Sequence, residues 1–119
     1  MNVELPTLNH MVERLDATFA ALADPTRRAM LAALSGGERS IGDLAAPHAM
    51  SFAGAAKHVQ ALERAGLVER RKAGRQQLCR LRAAPLREAE AWLKQWEGLW
   101  NARLDALEAM IADEQEQMP

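Results

Sequence analysis

Cysteine is almost missing from this chain: Cys79 stands alone among 119 residues. One thiol excludes an internal disulfide framework and fits a reducing compartment. Tyrosine is absent and β-branched residues are scarce, while Ala and Leu dominate, so helix is favoured almost throughout. No apolar run approaches the roughly 20 residues of a membrane-spanning helix. The opening MNVELPTLNHMVERLD lacks a basic patch followed by an apolar run. No secretory leader is therefore expected, and the location expected is cytoplasmic. Catalytic signatures are lacking as well. There is no carboxylate pair, no nucleophile beside a base and no phosphate-cradling glycine loop, so neither an enzyme nor a cofactor is expected.

What the chain does have is positive charge gathered in one block. Ser51–Arg82 holds eight basic residues (Lys57, Arg64, Arg70, Arg71, Lys72, Arg75, Arg80, Arg82) against Glu63 and Glu69, a local net of +6, while the whole chain is −1. Residues 1–50 carry four basic and six acidic groups, and the tail from Ala83 three and eight. No linker or repeat separates these regions, so residues 1–119 read as a single domain with charged faces. A nearly neutral protein that concentrates its cations on one unit is suited to lay that unit on a polyanion.

Five helices and a hairpin account for the pattern. The first helix is predicted over about Thr7–Leu22, with Leu8, Met11, Val12, Leu15, Phe19 and Leu22 at helical spacing. Asp24-Pro25 then supplies a cap and a first-position proline for a helix to Leu34. Ser40 caps a short helix to Ala46, with Asp43 placed for a capping-box return contact. Pro47-His48-Ala49-Met50 makes a turn. Ser51 caps a helix to Ala65 that Gly66 closes. Leu67–Lys72 and Gln77–Arg82 read as strands around Ala73-Gly74-Arg75-Gln76, and Pro85 opens a last helix to about Glu116. The fold class is mostly α with a small β-hairpin, in the order α-α-α-α-β-β-α.

A short helix, a four-residue turn and a second helix form a helix-turn-helix over residues 40–65. The second helix of such a unit enters the DNA major groove by its N-terminal end. Its first turns here are small, which permits close approach, and Ala or Phe can touch a thymine methyl. Ser51, Phe52, Gly54, Lys57 and His58 are the expected helix contacts. Val59, Leu62 and Leu67 should face the core. The hairpin, residues 67–82, adds a wing whose tip gathers Arg71, Lys72, Arg75 and Gln76. Those groups suit phosphate or the minor groove, and so position the protein while the helix specifies sequence. Arg27-Arg28 reads as a solvated or structural pair at the second helix, with a phosphate contact as the secondary reading.

The segments FAALADPTRRAMLAAL and SIGDLAAPHAMSFAGAAKHVQALERAGLVERRKAGRQQLCRL carry a specific resemblance. The ADPTRR opening of the second helix, the S-x(5)-KH run, the LERAGLV exit and the R-x-x-GR wing fall in order across Phe19–Leu81. The chain thereby resembles the ArsR-type winged helix-turn-helix transcriptional regulators. The resemblance implies a homodimer built from the first and last helices, here residues 1–23 and 84–116. It also implies a repressor on an inverted-repeat DNA operator. Metal-sensing members carry cysteines on the first helix of the helix-turn-helix, where this chain has Ser40-Ile41-Gly42-Asp43-Leu44. Their zinc sites use Asp, His and Glu on the last helix, which has no His here. His10, His48 and His58 lie on three elements, so no metal site is expected and the releasing signal would be non-metal.

The tail has its own pattern. Leu86, Leu93, Trp100 and Leu107 recur every seven residues, with Ala89, Trp96, Leu104 and Ile111 between them, a coiled-coil-like seam. Trp92, Trp96 and Trp100 form one stripe. It either packs in the dimer interface or walls a pocket for an apolar small-molecule effector. Cys79 is either a small apolar strand residue or a redox-responsive thiol lowered by Arg80 and Arg82. A rival to DNA binding is a winged-helix module for protein partners.

Overall fold

The structure, a computed structural model, describes residues 6–117 and the side chains from residue 9 onward. Residues 1–5 and 118–119 of the single-domain assignment, and the Leu8 side chain of the first apolar stripe, lie outside the described residues. The elements run α1 (Pro6–Leu22), α2 (Pro25–Leu34), β1 (Arg39–Ser40), α3 (Ile41–Ala45), a 3-10 turn (Ala46–His48), α4 (Phe52–Arg64), β2 (Val68–Ala73), β3 (Gln76–Leu81) and α5 (Ala84–Gln117). The chain divides into two compact units, Met1–Arg87 and Glu88–Pro119.

Local chemistry sets the boundaries in the first unit. The Asp24 carboxylate accepts from the Arg27 N–H at 3.1 Å, Ser40 Oγ from Asp43 N–H at 3.1 Å, and Ser51 Oγ from Gly54 N–H at 3.0 Å. Each satisfies a donor that a helix start leaves without a partner. Only the forward half of the capping box forms at α3; no return bond from Asp43 is present among the described residues. Gly66 ends α4 at φ +76, with Leu67 N–H on Leu62 O and Gly66 N–H on Glu63 O, both 2.9 Å. That paired pattern is the Schellman closure, and the left-handed backbone is why glycine stands there.

Ala73 pairs with Gln76, so the wing loop is the two residues Gly74-Arg75, and Gly74 alone takes positive φ, at +63. A glycine at the first central position suits the tight primed turn that matches strand twist. The expected two-stranded hairpin belongs to a three-stranded antiparallel sheet of order β1-β3-β2. Arg39 pairs with Cys79 and Ser40 with Leu78. Ser40 thus closes the sheet edge and caps α3.

The core of this unit joins Met30, Leu31 and Leu34 of α2, Ile41 and Leu44 of α3, Ala55, Val59 and Leu62 of α4, and Leu67, Val68 and Cys79. Full burial of each large apolar side chain contributes about 1.5–3 kcal/mol before entropy is subtracted. The buried stripe of α1 departs from expectation. Leu15, Thr18 and Ala21 are buried, while Val12 and Phe19 are exposed. Thr18 can turn inward because its hydroxyl donates to the Arg14 carbonyl at 2.9 Å, which removes the cost of burying it. In the second unit α5 displays Leu93, Trp96, Trp100, Leu104, Leu107 and Ile111 as exposed apolar groups.

Candidate nucleic-acid interface

The helix-turn-helix is placed by its buried faces. On α4, Ala55, Val59 and Leu62 turn inward, so Phe52, Ala53, Lys57 and Gln60 turn outward. Ser51 is committed to its cap, which leaves the N–H groups of Phe52 and Ala53 as the helix's open donors. Gly54 sits against that cap: a Cβ there would lie 3.3 Å from Ser51 Oγ. Gln60, on the exposed face beside Lys57, was missed from sequence. Its helical offset from Lys57 was the available signal.

The wing tip comes beside the start of α4. Phe52 lines a cleft of about 290 Å³ together with Ser40, Ile41 and Gly42 on one side and Arg75, Gln76 and Gln77 of the wing on the other. Lys72, Arg75 and Gln76 are exposed at this tip. The two halves of the expected surface, helix and wing, are therefore neighbours.

The positive block is less free than its count suggests. Arg71 holds Glu38 by Nε–Oε1 at 3.2 Å and Nη2–Oε2 at 2.8 Å. The same hydrogen bonding keeps the Glu38 carboxyl below its ordinary range. Arg70 grips Glu63 at 3.1 and 2.8 Å, and Glu69 takes both Arg80 at 2.6 Å and Arg82 at 3.2 Å. Lys57, Arg64, Lys72 and Arg75 have no carboxylate within 4.0 Å among the described residues. Exposed pairs contribute only about 0–1 kcal/mol each, so a phosphate competes readily for an arginine such as Arg71.

His58 is half-buried, and its Nδ1 lies 3.5 Å from Arg27 Nη1. Arg27 also donates Nε to Ala21 O at 2.7 Å and Nη2 to Ala20 O at 3.0 Å, while Arg28 Nη1 reaches Leu22 O at 2.7 Å. The arginine pair is thus structural, holding the last carbonyls of α1.

Cys79 is fully buried, and burial pushes its thiol up against a smaller lowering by Arg70. The expected lowering by Arg80 and Arg82 is corrected here. Both arginines bind Glu69, and Arg70 is the cation that faces Cys79 across the ladder. Among the described residues no three His, Cys, Asp or Glu side chains converge as a metal site. On α5, the rings of Trp92 and Trp96 lie 5.9 Å apart and tilted by 59°, and Trp100 is exposed. No helix among the described residues is long and apolar enough to cross a membrane.

Comparison with known proteins places this geometry. Residues 22–71 match a family model described as a helix-turn-helix domain. The crystal structure of an ArsR family transcriptional regulator is 40% identical, with a TM-score of 0.71, covering 75% of this chain and 92% of that one. An ArsR-like transcriptional regulator from a Rhodococcus species is 34% identical at a TM-score of 0.68, over 83% and 93% of the two chains. A homodimeric winged helix-turn-helix DNA-binding domain from Mycobacterium bovis, described as a possible ArsR-family regulator, is 31% identical at a TM-score of 0.56, over 98% and 92%. No curated protein matches significantly.

Proposed function

Because the chain belongs to the ArsR family of transcriptional regulators, we propose that it is a homodimeric repressor acting in the cytoplasm on an inverted-repeat operator. Two copies of α4 enter successive major grooves about one helical turn apart and block transcription there. The observation that carries this reading is the cleft in which Phe52 of α4 and Arg75–Gln77 of the wing meet. It offers a groove-reading helix end and a cationic tip on one surface. Ser51, Phe52, Gly54, Lys57 and His58 serve the helix side, and Arg71, Lys72, Arg75 and Gln76 the wing.

Dimerisation is assigned to residues 1–23 and 84–116. Support comes from the outward Val12 and Phe19 of α1, the exposed seam of α5 and the homodimeric Mycobacterium bovis relative. The Trp92–Trp96–Trp100 stripe is assigned to this interface, and the inducing signal to a non-metal ligand.

Selection of bound sites from random duplex DNA tests the reading. An enriched inverted repeat is expected, bound with steep salt dependence. The Lys57→Ala/Arg75→Ala double mutant should weaken binding and lower the salt slope by about one unit per lost phosphate contact. Full affinity in that mutant would move the surface elsewhere. A flat salt response without sequence preference, alongside a protein partner, would favour the interaction module.

A further inference from the structure

We infer that the first turn of α4 reads DNA by methyl groups, with Phe52 as the residue that tells thymine from an unmethylated pyrimidine. The inference rests on the DNA-binding reading above. Hydrogen-bond readout of a base edge needs a free polar side chain. From Ser51 to Ala56 the only polar side chain is Ser51, whose Oγ accepts from the Gly54 N–H at 3.0 Å; the cap fixes it at the helix start with a single O–H left to donate, which suits a phosphate oxygen. Lys57 and Gln60 lie further along the helix.

What the first turn presents instead is a phenyl ring. Phe52 is 62% exposed, the most exposed large apolar side chain among the described residues of the first unit. Its neighbours Ala53, Gly54 and Ala56 are small, so nothing bulkier holds the backbone away from a groove floor. The ring borders the cleft shared with Arg75 and Gln76. A strand whose phosphates meet Arg75 therefore brings its base edges toward the ring. Thymine is the base that shows an apolar group in the major groove, its C5 methyl.

The test uses the full chain and the duplex recovered by site selection. Each thymine is replaced in turn by deoxyuridine, which keeps every hydrogen-bonding group and removes only the methyl. Burying one methyl is worth about a fourfold change in affinity. Replacement in one half-site should therefore weaken binding about fourfold, and symmetric replacement about fifteenfold. Phe52→Ala should bind the thymine duplex correspondingly more weakly and no longer distinguish deoxyuridine. Its salt slope should match wild type, because no phosphate contact is lost. Phe52→Leu should keep part of the discrimination. Wild-type indifference to deoxyuridine at every position, on a duplex it binds selectively, would overturn the inference and leave the regulator reading standing. Full discrimination by Phe52→Ala would overturn it too, and selection yielding no enriched sequence would overturn both readings.

Discussion

Replacing Arg27 with Ala removes the side chain by which α2 reaches two other helices, α1 and α4. Its Nε and Nη2 hold Ala21 O at 2.7 Å and Ala20 O at 3.0 Å at the end of α1, and its Nη1 meets His58 of α4 at 3.5 Å. A hydrogen bond to a charged group is worth about 1.5–3 kcal/mol when its loss strands the partner. Ala21 is 5% exposed, whereas Ala20 is exposed, so water replaces one bond far better than the other. The His58 contact is long and adds little. The net loss should be about 2 kcal/mol, which for a chain of this size lowers the melting temperature by about 8 °C. Arg28→Ala is the internal control, since it loses one exposed bond, to Leu22 O at 2.7 Å. It should cost less than half as much. Urea denaturation of both variants measures the difference. A cost below about 0.5 kcal/mol for Arg27→Ala, or equal costs for the two, would show that the α1 carbonyls are served by water and that Arg27 is not the clamp.

Three further outcomes follow from the same geometry. Trp96→Glu places a charge in the exposed seam of α5 and should give monomers that lose operator binding; sedimentation that still reports a dimer would move the interface away from α5. The Cys79 thiol, buried and raised, should be alkylated only at the rate of unfolding; stoichiometric labelling within minutes in native buffer would refute that. Arg70 holds the Glu63 carboxyl below its ordinary range, so this pair stabilises the fold above the unfolded carboxylate value of about 4.3. Its contribution is lost as pH falls through the lower folded value. Arg70→Met should therefore narrow the stability difference between pH 6 and pH 3, measured by thermal melts, and an unchanged difference would count against the pair.

Features that depend on neighbouring residues were legible in the sequence. The caps at Asp24, Ser40 and Ser51, the closure at Gly66 and the turn at Gly74 each depend on residues within a few positions, and each forms. β1 was not legible, because two residues carry no periodicity and its pairing with β3 joins Arg39 to Cys79 and Ser40 to Leu78 from far along the chain. The α1 stripe was misjudged for a related reason: an inward threonine satisfied by its own helix is invisible to an apolar count. Charge was legible as a total but not as a distribution. Sequence neighbours suggested Arg80 and Arg82 as the cations that act on Cys79, whereas sheet register puts Arg70 opposite it. Likewise Arg71 finds Glu38 at a separation of 33 residues.

That distribution sets a number for DNA binding. If every cation of the block reached a phosphate, a dimer would engage sixteen, and the salt slope would approach about −14. Four of the eight are instead held by carboxylates. Arg64 has no carboxylate partner among the described residues but stands in the last turn of α4, about 18 Å along the axis from Phe52. Lys57, Lys72 and Arg75 remain, six in a dimer, and imply a slope of about −5. Arg71 is the paired cation within the expected contact set, next to Lys72 on β2, and its side chain is 62% exposed, so a phosphate competes for it at little cost. Recruiting it in both protomers steepens the slope to about −7. Measuring the dissociation constant between low and moderate salt separates these cases. Glu38→Gln then decides the role of Arg71: if the arginine already contacts phosphate, the slope stays the same and affinity rises; if it does not, slope and affinity both rise. A slope beyond about −10 would mean that the ion pairs of the wing dissolve on binding, and that the paired state describes only the free protein.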